Sequence, residues 1–417
     1  MKNQSKLILH HVGGRAGSIG FPIPENFEQD IINIIYDADE TCVKQIESIW
    51  QNKKFQTFVY PYCLLDKIGS TSFNLNYDPY TSSIYSFDQK YKDYYSPNDQ
   101  KDVDYVFGDS FRTMEMFDLN TTTLDEIVEK DNIIPPDFLS IDTQGSELNI
   151  LKGARKCLEQ NVLSLLVEVE FLPIYKNQPL FGDICEFLYK YGFLLSDLSY
   201  FRRYPCRGKE WFRGAGDIVD GEALFIKSPN TLQSKSDKEK ALQLNKLAFI
   251  SIIFNRFETV QLCVQNKKYK VIASDEKYLR LVGDLASLVK ELPDRSMPIF
   301  SDKYTFEQSK NRFQINPTDN KHRNSDSYIF NLLKNRLKNN IFFRLIIKFY
   351  RKIKQLLSKC LTNIYFYSNG LFKKSKVELL LLQYGLKEQC LLVMRNRIFD
   401  MKKKEMHFNI STIKRSE

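Results

Sequence analysis

What the chain lacks narrows its function first. Its 417 residues include eight cysteines, at 42, 63, 157, 185, 206, 263, 360 and 390, with no CxxC pair and no framework of close spacings. That pattern argues against a disulfide scaffold and for reduced thiols in a cytoplasmic setting. No uncharged apolar stretch approaches the ~18 residues of a membrane span, and the apolar run near Met1 is too short for a signal peptide. The expectation is a chain that neither crosses a membrane nor leaves by the signal-peptide route. Histidine is scarce too: His10, His11, His322 and His407 are the full set. Neighbouring residues of a strand point to opposite faces, so His10 and His11 are not expected to share a metal ion. Internal repeats are not evident.

What is present is a globular composition, 43% hydrophobic and 13% aromatic. The net charge of +9 is unevenly spread. Residues 1–228 hold 23 Lys/Arg against 34 Asp/Glu, whereas the remainder holds 37 against 17. The two parts are therefore expected to be different regions, 1–228 and 229–417.

The first region alternates short apolar runs with amphipathic segments, the pattern of an α/β domain with a mostly parallel sheet. Strands are expected at Leu7–Val12, Ile32–Tyr36, Thr57–Tyr60, Phe138–Ile141, Leu163–Glu170 and Ala223–Ile226. Helices are expected at Glu147–Leu158 and Phe181–Tyr191, and residues 70–110 read as an irregular loop. Beyond Ser228-Pro229-Asn230 the pattern turns helical, over 236–265, 276–291, 326–359 and 375–404.

Three stretches carry candidate chemistry. "HHVGGRAGS" follows the first strand, and its glycines let the backbone approach a ligand closely. The spacing Gly13-Gly14-x-x-Gly17-x-x-Gly20 is not the GxGxxG of a dinucleotide fold, and Pro22 and Pro24 interrupt any long helix after it. Taken alone, the stretch is equally a plain tight turn. "IIYDADE" ends a second strand in Asp37, Asp39 and Glu40, where a carboxylate can hold ribose hydroxyls. "FLSIDTQGSELNILKGA" delivers Asp142 to a strand end, with Ser146 placed to cap a helix whose first turn holds Glu147. Glu168 and Glu170, in "LLVEVEFLPIYKNQPLF", then face one side of a further strand.

The run "IDTQGSELNILKGA", followed by "VEVEFLPIYKNQPLF", "FLYKYGFLL" and "GEALFIK", resembles the FkbM-type methyltransferases over roughly residues 5–228. The resemblance implies a Rossmann-like seven-strand class I methyltransferase domain at 1–228; it does not cover 229–417, which the helical pattern and charge read as an all-α basic region. It also implies S-adenosylmethionine (SAM) as cofactor and a hydroxyl acceptor, on a sugar of a glycan or glycolipid or on a small molecule. Carried over by position, Gly13, Gly14 and Gly17 match the turn beside the methionine part of SAM. Asp39, with Glu40 as alternative, matches the ribose-binding acid, and Asp66 falls where the family places a polar residue near the adenine. Asp142 and Gln144 match the polar strand end beside the transferred methyl. One departure stands out: the family's first strand ends Asp-Val-Gly-Ala-Asn, whereas this one reads His11-Val12-Gly13-Gly14-Arg15. His11 therefore stands where an acid is expected near the cofactor, and the rival expectation is an inactive methyltransferase fold acting as a binding module.

Methyl transfer to a hydroxyl needs an aligned acceptor and a base for its proton. Asp142 and then Glu168 are the candidate catalytic bases, with Glu147 assigned to helix-start electrostatics. In the basic region, residues 327–377 contain twelve Lys/Arg and no carboxylate. This reads as a basic amphipathic helix suited to an anionic membrane surface, or as a basic helix face in water or against the acidic region. No nucleic-acid motif is seen.

Overall fold

A computed structural model describes residues 5–13, 15, 20–51, 55–96, 105–206, 215–291 and 375–394. The chain divides into two units, 1–290 with 377–417, and 291–376. Everything below concerns the first.

Seven strands form its main sheet: β1 (Leu7–Val12), β2 (Ile31–Tyr36), β3 (Gln56–Tyr60), β4 (Phe138–Ile141), β5 (Ser164–Glu170), β6 (Phe193–Tyr204) and β7 (Asp217–Lys227). Their order across the sheet is β3-β2-β1-β4-β5-β7-β6. β7 runs antiparallel to both its neighbours, while the pairs among β1 to β5 are parallel. This is the seven-strand class I arrangement the resemblance implies. The order reverses between β1 and β4, and in open α/β sheets the crevice at such a point, outside the carboxyl ends of the strands, receives the ligand.

The apolar runs became strands because both faces of the sheet are covered, so β1 and β2 are buried at every residue. β6 escaped the sequence reading. Much of it is partly or fully exposed, and its polar composition, SDLSYFRRY, hides the strand signal. Residues 70–110 are also less irregular than expected, because Gly69–Asn76 pairs antiparallel with Thr113–Thr122.

One face is covered by α2 (Leu124–Lys130), α3 (Glu147–Lys152), α4 (Arg155–Gln160) and α5 (Phe181–Tyr189), whereas α1 (Glu40–Trp50) packs on Ile35 and Val59 at the edge of the opposite face. The expected single helix over 147–158 is two, α3 and α4, separated at Gly153-Ala154. A β-carbon on Gly153 would lie 2.0 Å from the Leu65 carbonyl oxygen, so the chain bends where the backbone of that loop presses in.

The other face has an unexpected cover. Between β1 and β2 the described chain forms only a 3₁₀ turn, Glu25–Asp30, preceded by Pro22 and Pro24. The missing layer comes from beyond residue 228: α6 (Asp237–Ile253), α7 (Phe257–Val264), α8 (Lys277–Glu291) and α9 (Lys376–Gln383). Leu244, Leu247, Phe249 and Ile250 share one apolar cluster with Leu7, Leu9, Phe138 and Leu224 of the sheet. Polar ties fix the docking. Asp137 Oδ2 accepts from Ile8 N at 2.8 Å and from Lys246 Nζ at 2.7 Å, all buried. Asp30 Oδ2 accepts from Tyr278 N at 3.0 Å. The region expected to be separate thus begins with helices that complete the sheet's own core. The expected helix at 326–359 and the segment 327–377 lie, apart from residues 375–377, outside the described residues.

Candidate active site

The site assembles where β1 and β4 end side by side. The Asp142 amide donates to the Val12 carbonyl at 3.0 Å, and the Gly13 amide donates to the Tyr36 carbonyl at 3.1 Å. Gly13 has φ +92°, and a β-carbon there would lie 1.7 Å from the Asp142 carbonyl oxygen. No other residue type fits this approach of the two strand ends.

After Asp142 the chain turns through two left-handed residues, Gln144 (φ 56°) and Gly145 (φ 102°). The turn aims the Gln144 side chain back at the strand ends. Its Nε2 donates to Glu168 Oε2 at 2.8 Å and to Asp142 Oδ1 at 3.3 Å. Ser83 Oγ donates to the Gln144 carbonyl at 2.7 Å, anchoring the turn. Ser146 makes no side-chain cap; its hydroxyl donates to Thr143 Oγ1 at 2.8 Å instead. The capping work falls to Glu147, whose Oε1 accepts from Thr143 N at 2.9 Å, Thr143 Oγ1 at 3.0 Å and Gly145 N at 3.1 Å.

Acids outnumber cations at this point. Burial, then Asp142 and Glu170, push the Glu168 carboxyl well above the ordinary carboxylate range, against the opposing pull of Arg202. Glu170 is pushed the same way by burial, Glu147 and Asp220, and its Oε2 is buried with no hydrogen-bond partner. Glu147 is raised to about 7, chiefly by burial. Arg202, on β6, bridges Glu168 and Asp220. Glu147, Glu168 and Glu170 hold oxygens within 4.8 Å of one another, close enough for a metal ion. Burial raises all three carboxyls, so in the absence of an ion the cluster holds protons among them.

Two cavities meet at these acids. The first, about 440 Å³, runs past Gly13, Arg15, Asp37, Tyr62 and Leu64 to Gln144. The second, about 500 Å³, runs past His11, Ser140, Tyr200, Phe201 and Glu222. Asp142, Glu168 and Arg202 line both.

Gly13, Asp142, Gln144 and Glu168 of the sequence reading therefore come together, and Gly14 and Gly17 lie outside the described residues. Asp39 and Glu40 do not line the first cavity. Asp39 caps α1, accepting from Thr41 N at 2.8 Å, and pairs with Arg15 at 3.4 Å; Glu40 is exposed in the first turn of that helix. The acid that reaches the cavity is Asp37, one residue past β2, pushed up chiefly by burial. Asp66 is exposed and off the lining.

His11 lines only the second cavity. It is buried, its Nδ1 lies 2.7 Å from Ser140 Oγ, and burial lowers its pKa to about 4. His10 faces the opposite side of the sheet. Its Nε2 lies 2.8 Å from the Ile134 carbonyl, Tyr36 Oη lies 3.1 Å from its Nδ1, and burial lowers its pKa to about 3. Both histidines are neutral groups held by hydrogen bonds. Arg202 was missed because its strand was missed. The acid run at 37–40 did carry a signal for Asp37, since the residue directly after a strand points into the crevice at the strand end.

Residues 45–195 match the family described as methyltransferase FkbM domain. That bears out the resemblance over this stretch, which contains Asp142, Gln144 and Glu168 but neither Gly13 nor Arg202. Among solved structures, the chain is similar to a methyltransferase FkbM from Methylobacillus flagellatus, at 12% identity and TM-score 0.29 over 53% of this chain and 44% of that one. It is also similar to a TehB-like SAM-dependent methyltransferase from Corynebacterium glutamicum, at 10% identity and TM-score 0.23 over 53% and 80%. This chain thus spans less than half the length of the first. At such scores the fold rests on the strand order described above. No curated protein gives a match. Among the described residues, no helix is long and apolar enough to cross a membrane.

Proposed function

We propose that this chain, carrying a methyltransferase FkbM domain, is a SAM-dependent O-methyltransferase acting on a hydroxyl, most readily that of a sugar in a glycan or glycolipid. The observation that carries the reading is the meeting of Asp142 and Glu168 through Gln144, at the mouth of a cavity on the sheet's switch point.

The residues present fit the cofactor. Gly13 leaves its backbone bare beside the strand ends, and Asp37 stands where ribose hydroxyls can donate to a carboxylate. Tyr62 and Leu64 offer flat and apolar wall, and the buried acids suit a cationic group. When bound, SAM supplies an activated methyl on its sulfonium. The chain's own part is to align and deprotonate the acceptor. Asp142 accepts the hydroxyl proton, directly or in concert with Glu168, and Gln144 fixes both carboxyls at one spacing. Arg202 holds Glu168 from the far side.

The test is methyl transfer from labelled SAM by the full chain to glycan acceptors, with S-adenosylhomocysteine affinity measured by calorimetry. Asp142→Asn is expected to lower turnover roughly 10²–10⁴-fold while binding of S-adenosylhomocysteine persists. Absence of binding by the intact protein at millimolar ligand would overturn the reading. The rival, an inactive binding module motivated by His11, is excluded by any turnover that Asp142→Asn removes.

Docking on an anionic membrane through 327–377 forms part of the proposal on sequence grounds. Full-length protein should co-sediment with phosphatidylserine vesicles, and Lys348→Gln, Arg351→Gln and Lys352→Gln together should weaken this. Equal sedimentation of both proteins would remove the membrane component.

A further inference from the structure

We propose that the second cavity is the acceptor site and that it is built for an uncharged sugar ring, with Tyr200 and Phe201 as the platform and Glu222 as a hydroxyl acceptor. The proposal rests on the methyl-transfer reading above and adds to it the side of entry and the charge of the substrate.

Position comes first. The two cavities share Asp142, Glu168 and Arg202 as a common wall, so a ring in the second reaches the same carboxyls that border the first. That is the relation a two-substrate transfer requires, with each partner approaching the reacting centre along its own path.

The second observation is the pair of aromatic rings. Tyr200 is 79% exposed and Phe201 44% exposed, and both line this cavity. Regular strand alternation would send neighbours to opposite faces. Here the register of β6 against β7 slips between Ser199 and Arg202, and Tyr200 takes φ +53°, a conformation that bulky side chains rarely adopt. Gly221 on β7 lies beside the slip, where a β-carbon would come within 3.1 Å of Phe201 Cδ1. A bulge, a left-handed tyrosine and a glycine together present both rings to the cavity, with Phe201 steadied from behind by Phe171 at 5.9 Å between ring centroids. The carbon-bound hydrogens on one face of a pyranose pack on such rings.

The third observation is charge. Glu222 stands directly opposite Glu168 in the β5/β7 register, and Asp220 stands opposite Glu170. Like charges in directly opposed positions weaken a sheet, and Arg202, which bridges Glu168 and Asp220, does not bridge Glu222 or Glu170. Asp142, Glu168, Asp220 and Glu222 line the cavity with Arg202 as the cation among its lining residues. Burial pushes Glu168, Asp220 and Glu222 upward, so this wall exchanges hydrogen bonds with neutral hydroxyls, whereas a uronate or a sugar phosphate would bring a further negative charge beside carboxyls that already resist ionising.

The experiment uses the full chain saturated with S-adenosylhomocysteine and saturation-transfer NMR with four probes: methyl α-mannopyranoside, methyl α-galactopyranoside, methyl glucuronide and glucose 1-phosphate. The neutral glycosides should bind, with the two anions at least about ten-fold weaker. Tyr200→Ala should remove glycoside binding and leave S-adenosylhomocysteine affinity unchanged. Glu222→Gln, a near-isosteric change, should strengthen the glucuronide. Equal binding of neutral and anionic probes, an inert Tyr200→Ala, or no probe bound by a protein that binds S-adenosylhomocysteine would each overturn the proposal. Failure of S-adenosylhomocysteine itself to bind would overturn the methyl-transfer reading and this inference with it.

Discussion

The carbonyl oxygen of Asp142 occupies the space where a side chain on Gly13 would begin, 1.7 Å from the position of its β-carbon. The glycine turn proposed to hold the cofactor and the candidate base are thereby one mechanical unit. Gly13→Ala must move the Asp142 backbone and hold alanine at a left-handed φ, at a cost of about 1–3 kcal/mol. We expect a lower melting temperature and, under conditions where the variant stays folded, a loss of turnover at least as large as the loss of S-adenosylhomocysteine affinity. Wild-type stability in the variant would show that the strand ends do not approach as described.

Asp37 and Asp39 separate binding from folding. Asp37→Ala should weaken S-adenosylhomocysteine by about ten-fold or more, through loss of the ribose contact. Asp39→Ala removes a helix cap and should cost about 0.5–2 kcal/mol of stability with a smaller effect on affinity. Calorimetry and thermal melting of the two variants decide the matter, and the reverse ranking would return the ribose role to Asp39.

Glu147 makes stability depend on pH. Its carboxyl is raised from 4.5 to about 7 in the folded state, so the native protein binds the extra proton between those values. The contribution is therefore fully present below about pH 4.5 and declines as pH rises through 7, by at most ~1.4 kcal/mol per unit. Urea denaturation of wild type and Glu147→Gln at steps from pH 5 to 8 should show wild type losing ground to the variant. Parallel curves would mean that Glu147 is ionised throughout.

Truncation after residue 228 should not yield a folded methyltransferase domain. It uncovers Leu7, Leu9, Phe138 and Leu224 and removes Leu244, Leu247, Phe249 and Ile250, all buried in one cluster. At roughly 1.5–3 kcal/mol for each fully buried side chain, the loss is comparable to the whole stability of a typical domain. A soluble 1–228 fragment with a cooperative melt would contradict this packing.

The sequence by itself determined six of the seven strands and most of the candidate site. Apolar runs buried on both sides have few ways to pack, so β1, β2, β4 and β5 were legible to within a residue at each end. Asp142, Gln144 and Glu168 lie at strand ends whose position follows from those runs. Tertiary structure decided what depends on neighbours distant in the chain. Asp37 rather than Asp39 reaches the cavity because the helix that begins at residue 40 takes Asp39 for its cap. Arg202 and the rings beside it sit on an exposed, slipped strand that has no apolar pattern to read. The helices after 228 belong with the sheet because, among the described residues, the connection from β1 to β2 past Pro22 and Pro24 holds no α-helix, and chain from elsewhere covers that face of β1.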